Sequence, residues 1–353
     1  MRVRAALARP ENAAGSRAPV AVVIVSWNSA RFLRECLGSL RGLSRPPAEV
    51  VVVDNGSVDG TSDLLRREFP EVDLIECRAN LGFCRANNIG IAVTTSPFVL
   101  VLNSDTRLAP DFLERLLPAF EDPRVGMAAG KLLRFDGRTL DSAGQELGRS
   151  RQPQDRGYWR PDQGQFDRDE EVFGVCAAAA LYRRAMIDEI ADTGGAVFDE
   201  AFFAFYEDLD LAWRARRRGW KAVYRYRAVG LHHRGGSAEG PTLLRRFAAI
   251  LGRSPEIRFH VVKNRYLTIL RNDTPRDYLA NLAFILARDI AMLGLLVLSS
   301  PSVLMRLWRA RRIFREALVK RRRDATRRSA PAAPIVAVGP LTSTDPPTSA
   351  AMS

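Results

Sequence analysis

The sequence predicts an α/β protein built on a mostly parallel sheet that helices cover on both faces. Short, β-branched apolar runs alternate with segments of helical spacing, and the links between them are short. This alternation is typical of parallel strands joined by crossover helices. Polar clusters also follow three of the apolar runs directly. The carboxyl ends of such strands are where ligands of open α/β sheets bind.

Strands and helices can be assigned in turn along the first part of the chain. The runs VAVVIVS and EVVVV have the composition of strands buried on both faces. The segments after them carry apolar residues three and four positions apart, as amphipathic helices do. We expect strands at 20–26, 49–53, 72–76, 98–102 and 125–131. We expect helices at 31–43, 61–69, 85–93 and 111–120.

The next part of the chain is less regular. Residues 132–172 are polar throughout, and we expect a mobile excursion or a lid there. Residues 173–182 are apolar and small, which predicts a buried strand or a packed turn. A helix is expected at 209–218 and a strand at 222–226.

The three polar clusters lie at 26–28, 54–57 and 103–105, each at the end of a predicted strand. Ordinary turns also favour Asn, Asp, Gly and Ser, so one cluster would mean little. Three at successive strand ends favour a ligand site. The chain has neither a G-x-G-x-x-G nor a G-x-x-x-x-G-K-[ST] motif, which argues against a dinucleotide enzyme and a P-loop nucleotidase.

Several side chains could carry chemistry, and each has a structural alternative. Asp105 ends a strand and could bind a divalent cation, or it could cap a turn. Glu207 and Asp208 begin a predicted helix, where they could interact with the helix dipole or supply a general base. His232 and His233 could bind a metal or be structural.

The charge of +13 is concentrated near the end of the 353 residues. Residues 306–328 hold eleven Lys/Arg and two Asp/Glu, a net of +9. Such a block suits an anionic membrane surface or nucleic acid, or it is a solvated tail. We favour the membrane and no nucleic acid, because few aromatics are interleaved and an apolar helix precedes it.

Residues 278–305 are the most apolar region, but the longest uninterrupted apolar run is 290–298. A spanning helix needs about 20 residues. We therefore expect an amphipathic helix in the membrane interface, with packing on the core as the alternative. Residues 1–19 have no apolar signal region and are expected to be a flexible leader, and 329–353 a disordered tail. The four cysteines form no C-x-x-C pair, which favours a reducing cytosol.

In combination, the motifs resemble glycosyltransferase family 2, especially its rhamnosyltransferase-like bacterial members. The matching segments are VVIVSWN (22–28), VVVDNGSVDGT (51–61), NLGFCRANNIGI (80–91), VLNSDT (101–106), FFAFYEDLDLAWRARRRGW (202–220) and HHRGGS (232–237). The resemblance covers roughly residues 20–270, and it leaves 271–328 as a basic helical extension.

The resemblance implies a GT-A fold, in which a nucleotide-binding half is merged with an acceptor-binding half. It implies an inverting reaction that uses a nucleotide-sugar donor, and a divalent metal, Mg²⁺ or Mn²⁺. Asp208 is implied as the base with Glu207 beside it, and Asp105 and His232 as metal-binding residues. The residues implied at the nucleotide are Ser26, Asn28, Asp54, Gly82, Asn87 and Asn103.

In one respect the sequence departs from the family pattern. Asn103 stands at the first acidic position of the D-x-D motif, which puts the metal affinity and the preferred ion in doubt. The donor suggested by the resemblance is dTDP-rhamnose, and the acceptor a lipid-linked saccharide or surface polysaccharide. The expected location is the cytoplasmic face of the plasma membrane, with the protein bound peripherally. The rival hypotheses are a sugar nucleotidyltransferase and a non-catalytic, membrane-associated glycan-binding scaffold.

Overall fold

The computed structural model of the chain describes residues 2–3, 17–234 and 252–326. The predicted leader and tail lie largely outside these ranges, as do residues 235–237 of the histidine motif. The strands are β1 (Arg2–Val3), β2 (Ala18–Ser26), β3 (Pro47–Asp54), β4 (Asp73–Glu76), β5 (Phe98–Asn103), β6 (Thr106–Leu108), β7 (Val125–Arg134), β8 (Leu140–Ser142), β9 (Gln145–Leu147), β10 (Pro153–Asp155), β11 (Glu170–Val172), β12 (Ala179–Arg183) and β13 (Lys221–His232).

Helices follow several of the strands. They are α1 (Ala30–Arg41), α2 (Thr61–Glu68), α3 (Phe83–Ala92), α4 (Phe112–Leu116), α5 (Arg184–Ile190), α6 (Glu207–Arg216), α7 (Pro255–Asn272), α8 (Pro275–Ala280), α9 (Leu282–Ser299), α10 (Pro301–Arg309) and α11 (Arg311–Thr326). The expected alternation is confirmed. The predicted helix at 111–120 is a short α-helix that continues as a 3₁₀ turn, Leu117–Glu121.

Within the described residues, eleven strands form one sheet in the order β1-β4-β3-β2-β5-β12-β7-β13-β11, with β6 paired to β13 and β8 to β7. The half containing β4, β3, β2 and β5 is parallel. Strand β12 comes from the apolar segment 173–182 and runs antiparallel between β5 and β7. The sheet is therefore mixed beyond β5, where the second half of the molecule begins.

Strand register brings the predicted polar clusters together. In the parallel half, Ser26 pairs with Asp54 and Val25 with Asn103, so all three clusters meet at one edge. In the other half, the end of β13 pairs with β6, and His232 lies opposite Thr106. The same edge therefore carries residues that are far apart in sequence.

The segment 132–172 is part of the second half of the molecule and not an excursion from it. Strand β8 pairs with β7, and Asp141 and Gln145 are buried. Part of its polar composition reflects ion pairs that are largely shielded from water, those of Asp162 with Lys131 and of Arg156 with Glu170. The polar composition of 132–172 predicts an exposed segment, because a sequence pattern does not reveal hydrogen-bond or ion-pair partners from distant segments.

The C-terminal helices pack on this second half. Helix α11 lies against α7, and its Lys320 binds Asp199 at 2.6 Å between Nζ and Oδ1. Helix α9 has 18 residues and a mean hydropathy of 2.0, with 17% of it buried. Among the described residues it is the one helix whose length and composition would allow a membrane span. The interfacial position expected from the sequence stays a prediction.

Candidate active site

Three of the predicted residues meet where β5 and β13 end. His232 Nε2 lies 3.2 Å from Asp105 Oδ1 and 3.3 Å from Asn103 Nδ2. Asp105 is partly exposed, whereas His232 is buried. The pairing of β13 with β6 is what brings the histidine to the aspartate, because these residues are 127 positions apart (232 − 105).

The other ring nitrogen of His232 is held by a buried carboxylate. His232 Nδ1 lies 2.8 Å from Asp141 Oδ2. Burial opposes a charge on the imidazole, but the hydrogen bonds to Asp105 and Asp141 outweigh it and raise the pKa of His232 to about 9. A carboxylate on the second nitrogen is the usual way in which a metal-binding histidine is oriented.

The neighbouring histidine does something different. The ring of His233 stacks on Phe135, with centroids 4.0 Å apart, and also contacts Phe32. Its backbone N–H donates to the Asp105 carbonyl at 3.0 Å. His233 therefore packs between aromatic rings, so the structural alternative applies to this residue.

Glu207 and Asp208 are the first two residues of α6, as predicted. The loop before them is strained, since Phe203, Phe205 and Tyr206 have φ values of 67°, 73° and 69°. Left-handed backbone at non-glycine residues costs about 1–3 kcal/mol each and clusters at functional sites. The loop is held from outside its own segment, by Asn264 of α7. Its Nδ2 donates to the carbonyls of residues 202, 204 and 205 at 2.7–2.9 Å.

The Asp208 carboxylate has a defined orientation. Oδ2 accepts from Gln145 Nε2 at 2.7 Å and from the Ala177 N–H at 3.3 Å, while Oδ1 accepts from the Leu209 N–H. Burial, and then the charge of Asp155, raise the pKa of Asp208. Burial and the neighbouring Asp208 raise the pKa of Glu207. A carboxylate with a raised pKa is a stronger base than an ordinary aspartate.

A pocket of about 300 Å³ opens beside this pair. Its lining includes Gln145, Asp155, Glu207, Asp208 and Arg234, and it also receives arginines from the C-terminal segment. Arg234 pairs with Asp155, and its Nη1 lies 3.2 Å from Asp141 Oδ1.

Charged contacts thus run from Asp105 through His232, Asp141 and Arg234 to Asp155 at the pocket. This series of contacts joins the Asp105–His232 pair to the pocket beside Asp208, the candidate base. The two parts of the site are therefore mechanically connected.

Three of the six predicted nucleotide residues, Ser26, Asn28 and Asp54, lie at or just beyond the ends of β2 and β3. Asp54 Oδ1 accepts from the Ser57 N–H at 3.0 Å, and its other oxygen accepts from the Ser62 hydroxyl. Asn28 Oδ1 accepts from the Val58 N–H at 2.9 Å. Ser26 is fully buried and hydrogen-bonds to Ser29. These contacts shape the loop 54–62, and any role toward a nucleotide stays a prediction.

Gly82 and Asn87 lie on the other side of that loop. Gly82 precedes α3 with a φ of 84°, and a Cβ there would come within 2.5 Å of the Phe203 ring. Asn87 is fully buried; its Nδ2 donates to the Phe83 carbonyl and its Oδ1 has no hydrogen-bond partner among the described residues. Gly82 thus joins the first half of the molecule to the aromatic loop before Glu207.

The donor set at the Asp105–His232 pair fits a divalent cation that keeps other ligands. The described ranges contain no cluster of three or more His, Cys, Asp or Glu side chains that could hold a metal alone. Asp105 offers a partly exposed carboxylate, and His232 a nitrogen oriented by Asp141. Mg²⁺ commonly takes one or two carboxylates and completes its shell with water and phosphate oxygens.

Sequence reasoning missed Asp141, Gln145 and Asp155. All three come from the polar segment 132–172, which has no periodic pattern, and each acts on a residue far away in sequence. Nothing in the single sequence distinguishes them from solvated polar residues. Asn264 was missed for the same reason.

Comparison with known proteins identifies the family of the chain. Residues 21–191 match Glycosyl transferase family 2. The chain is 32% identical over 237 residues to the N-acetylglucosaminyl-diphospho-decaprenol L-rhamnosyltransferase of Mycobacterium tuberculosis, covering 60% of this chain and 75% of the relative. It is also 32% identical over 234 residues to the pre-mycofactocin glycosyltransferase of the same organism, covering 64% of this chain and 45% of that relative.

Solved structures show the same fold at low identity. The mannosyltransferase PcManGT from Pyrobaculum calidifontis, in complex with GDP-Man and Mn²⁺, aligns with a TM-score of 0.50 at 17% identity over 88% of this chain and 86% of that one. GalNAc-T7 with UDP, GalNAc and Mn²⁺ aligns with a TM-score of 0.52 at 15% identity over 71% and 48%. The fold is GT-A-like with a C-terminal helical extension, and the chain belongs to glycosyltransferase family 2 as a glycosyltransferase.

Proposed function

We propose that the chain is an inverting glycosyltransferase that moves a sugar from a nucleoside-diphosphate donor to a hydroxyl of a lipid-linked or cell-surface glycan. The observation that carries the proposal is the oriented Asp208 carboxylate, which borders a pocket linked by charged contacts to the Asp105–His232 pair. A base beside an acceptor-sized pocket, next to a candidate diphosphate site, is the arrangement that direct displacement needs.

Asp208 is the proposed base. Gln145 and the Ala177 N–H fix one carboxylate oxygen, and the raised pKa makes the carboxylate a stronger proton acceptor. Glu207 shares the pocket and has a raised pKa, so its carboxyl is suited to donate a hydrogen bond to the acceptor sugar.

The chemical step balances as a single displacement. The acceptor oxygen forms a bond to the anomeric carbon from the face opposite the leaving group, and its proton passes to Asp208. The bond from the anomeric carbon to the phosphate oxygen breaks, and its electron pair leaves with the nucleoside diphosphate. Attack from the opposite face inverts the anomeric configuration.

Asp105 and His232 would hold Mg²⁺ or Mn²⁺, with Asn103 beside them. When bound, the cation supplies positive charge that neutralises the leaving diphosphate. The proposed walls of the nucleotide site are the loops at Ser26, Asn28 and Asp54, the turn at Gly82, and Asn87 of α3. Mn²⁺ in the complexes of PcManGT and GalNAc-T7 supports a divalent ion at such a site.

The donor proposed is dTDP-rhamnose, and the acceptor a saccharide on a lipid diphosphate. The support is the name of the Mycobacterium tuberculosis relative, a rhamnosyltransferase that acts on N-acetylglucosaminyl-diphospho-decaprenol. The exposed apolar face of α9 and the basic residues of α11 support a peripheral location on the inner face of the plasma membrane.

The first test is release of nucleoside diphosphate by the purified protein across a panel of nucleotide sugars. Each donor is assayed with Mg²⁺, with Mn²⁺ and with a chelator, beside Asp208→Asn and with a lipid-linked acceptor added. We expect one donor to give metal-dependent release that the Asp208→Asn variant loses. Absence of release and of nucleotide binding with every donor would overturn the proposal.

A further inference from the structure

A second cavity, of about 590 Å³, lies among the C-terminal helices, and none of its described lining residues borders the pocket beside Asp208. Helices α7 to α11 all contribute to its wall, and we call it the helical groove. Ligand pockets typically have volumes of about 300–1,000 Å³ and mostly apolar walls. The apolar and aromatic residues of this wall include Tyr266, Ile269, Leu270, Leu293, Leu307 and Phe314.

The charged side chains in the wall of the groove already have protein partners. Asp273 binds Arg151 at 2.6 Å, and Asp289 binds Arg265 at 2.8 Å. Arg321 donates to the backbone carbonyl of residue 270 at 3.0 Å. Because these groups are paired within the protein, the groove offers an occupant mainly contact with hydrocarbon and aromatic groups.

The groove continues onto an exposed apolar strip of α9. The strip consists of Leu286, Ile290, Leu293 and Val297, which are four, three and four positions apart and so lie on one face of the helix. Their exposed fractions are 46%, 70%, 38% and 58%. Leu293 also lines the groove, so one apolar surface runs from the inside of the groove to the outside of α9.

The length of this strip matches one lipid chain in a membrane leaflet. From Leu286 to Val297 the helix advances by eleven residues (297 − 286), which is about 16 Å at a rise of ~1.5 Å per residue. The hydrocarbon core of a bilayer is about 30 Å thick, so a chain in one leaflet extends over about 15 Å. A single acyl chain can therefore lie along the strip from end to end.

The helices that close the groove are strongly basic on their outer side. Residues 306–326 carry nine Lys/Arg and two Asp/Glu. The same helices supply Leu307 and Phe314 to the groove, and Trp308 between them is 65% exposed, as tryptophan at a membrane interface often is. A polybasic face of this kind attracts anionic lipid head groups. The exposed arginines of α10 and α11 are Arg309, Arg311, Arg312, Arg315, Arg322 and Arg323.

We propose that the helical groove and the strip of α9 bind one hydrocarbon chain of an anionic phospholipid, whose head group lies against the basic outer face of α10 and α11. This gives the proposed peripheral location a specific lipid site. It does not depend on the sugar chemistry at Asp208, because the groove and the catalytic pocket have separate walls.

The test is calorimetric binding of short-chain phosphatidylglycerol to the full chain, at lipid concentrations below those that form micelles. Dioctanoyl phosphatidylglycerol should bind about 15-fold more tightly than the dihexanoyl lipid, which is the gain expected from two more buried CH₂ groups on one chain. Dioctanoyl phosphatidylcholine should bind more weakly than the phosphatidylglycerol of the same chain length, and added salt should reduce this difference.

A matched pair of leucines locates the binding. Leu293→Asn in the groove should raise the Kd for dioctanoyl phosphatidylglycerol by about 10-fold, because it removes apolar contact. Leu318→Asn on α11 should leave the Kd unchanged, since Leu318 is exposed to a similar extent, 41% against 38%, but is not a lining residue of the groove. Thermal unfolding of both variants verifies that they are folded.

Three results would overturn the lipid site. The first is equal affinity for the dihexanoyl and dioctanoyl lipids, or for phosphatidylglycerol and phosphatidylcholine. The second is an equal effect of the Leu293 and Leu318 substitutions. The third is absence of lipid binding together with self-association that Leu293→Asn abolishes in sedimentation, which would assign the groove to a second copy of the chain. Donor turnover in the absence of lipid tests the proposed glycosyltransferase separately, so that the two can fail independently.

Discussion

Gly82→Ala tests whether the contact between Gly82 and Phe203 sets the position of the strained loop that leads to Glu207 and Asp208. Gly82 has φ 84° and ψ 163°, a region that is almost exclusive to glycine, so alanine there costs about 1–3 kcal/mol of backbone strain. The new Cβ would come within 2.5 Å of Phe203, and forcing a methyl group into packed space costs a further 1–3 kcal/mol or so. The free energy of unfolding should therefore fall by about 2–6 kcal/mol.

Gly60→Ala is the matched control. Gly60 also precedes a helix and has a φ of 85°, but a Cβ there meets nothing within 4 Å. Its backbone is in the left-handed helical region, where alanine costs about 1–2 kcal/mol. The difference between the two variants contains the contact with Phe203 together with the difference in strain between the two backbone regions.

Urea unfolding measures the stability of the two variants, and steady-state turnover of the donor measures their kcat. Phe203 belongs to the strained loop that leads to Glu207 and Asp208, and an ångström of misplacement can cost about 100-fold in rate. We expect Gly82→Ala to lose about that much in kcat at saturating donor, whereas Gly60→Ala, in the loop 54–62 beside the proposed nucleotide site, changes the KM for the donor rather than kcat. Equal effects of the two substitutions on stability and on kcat would refute the coupling.

Three further outcomes are expected. Asp208→Asn should lower kcat by about 10²- to 10⁴-fold while nucleotide affinity, measured by calorimetry, is unchanged; unchanged kcat would exclude the base role. Asp141→Asn should raise the metal concentration for half-maximal activity by about 10- to 100-fold, because it loosens His232; a metal titration shows this, and an unshifted curve would contradict it. Glu207→Gln should stabilise the fold at alkaline pH and much less at acidic pH in urea unfolding. Because the pKa of Glu207 is raised in the native state, the native state loses stability as the pH rises from the pKa of the unfolded chain to that of the native state. Glutamine does not titrate, so the variant does not lose this stability. Equal effects at both pH values would contradict the prediction.

The parts of the fold that sequence could predict are those with a local cause. Strands such as Ala18–Ser26 and Phe98–Asn103 are apolar and β-branched over their whole length, and their ends carry polar residues. Because parallel strands end at one edge, Asp54 and Asn103 could be expected to meet there. The motifs around Asp105, Glu207 and His232 then predicted the candidate catalytic and metal-binding residues.

What could not be predicted depends on pairing between distant segments. Strand Ala179–Arg183 enters between two strands that precede it in the chain, and no local pattern specifies this antiparallel insertion. Asp141 and Gln145 lie in a segment expected to be a mobile excursion or a lid, whereas they orient His232 and Asp208. Their polarity is the same in water and in a buried hydrogen bond, so composition cannot separate the two cases.

The strained loop before Glu207 is held in place by helices of the C-terminal part of the chain. Phe203, Phe205 and Tyr206 disfavour their own backbone conformation, so contacts from elsewhere must maintain it. Asn264 of α7 holds three of the loop carbonyls.

Asp199, just before that loop, is buried and bound by Arg271 of α7 and Lys320 of α11. These cations outweigh the burial that would otherwise raise the pKa of Asp199, and they lower it. Removing α11 would take away one of the two cations that compensate this buried carboxylate, and we expect it to weaken the attachment of the loop to the helices. The resemblance to the family ends near residue 270, but the packing contacts continue past it. Helix α11 helps to hold the segment that precedes Glu207 and Asp208.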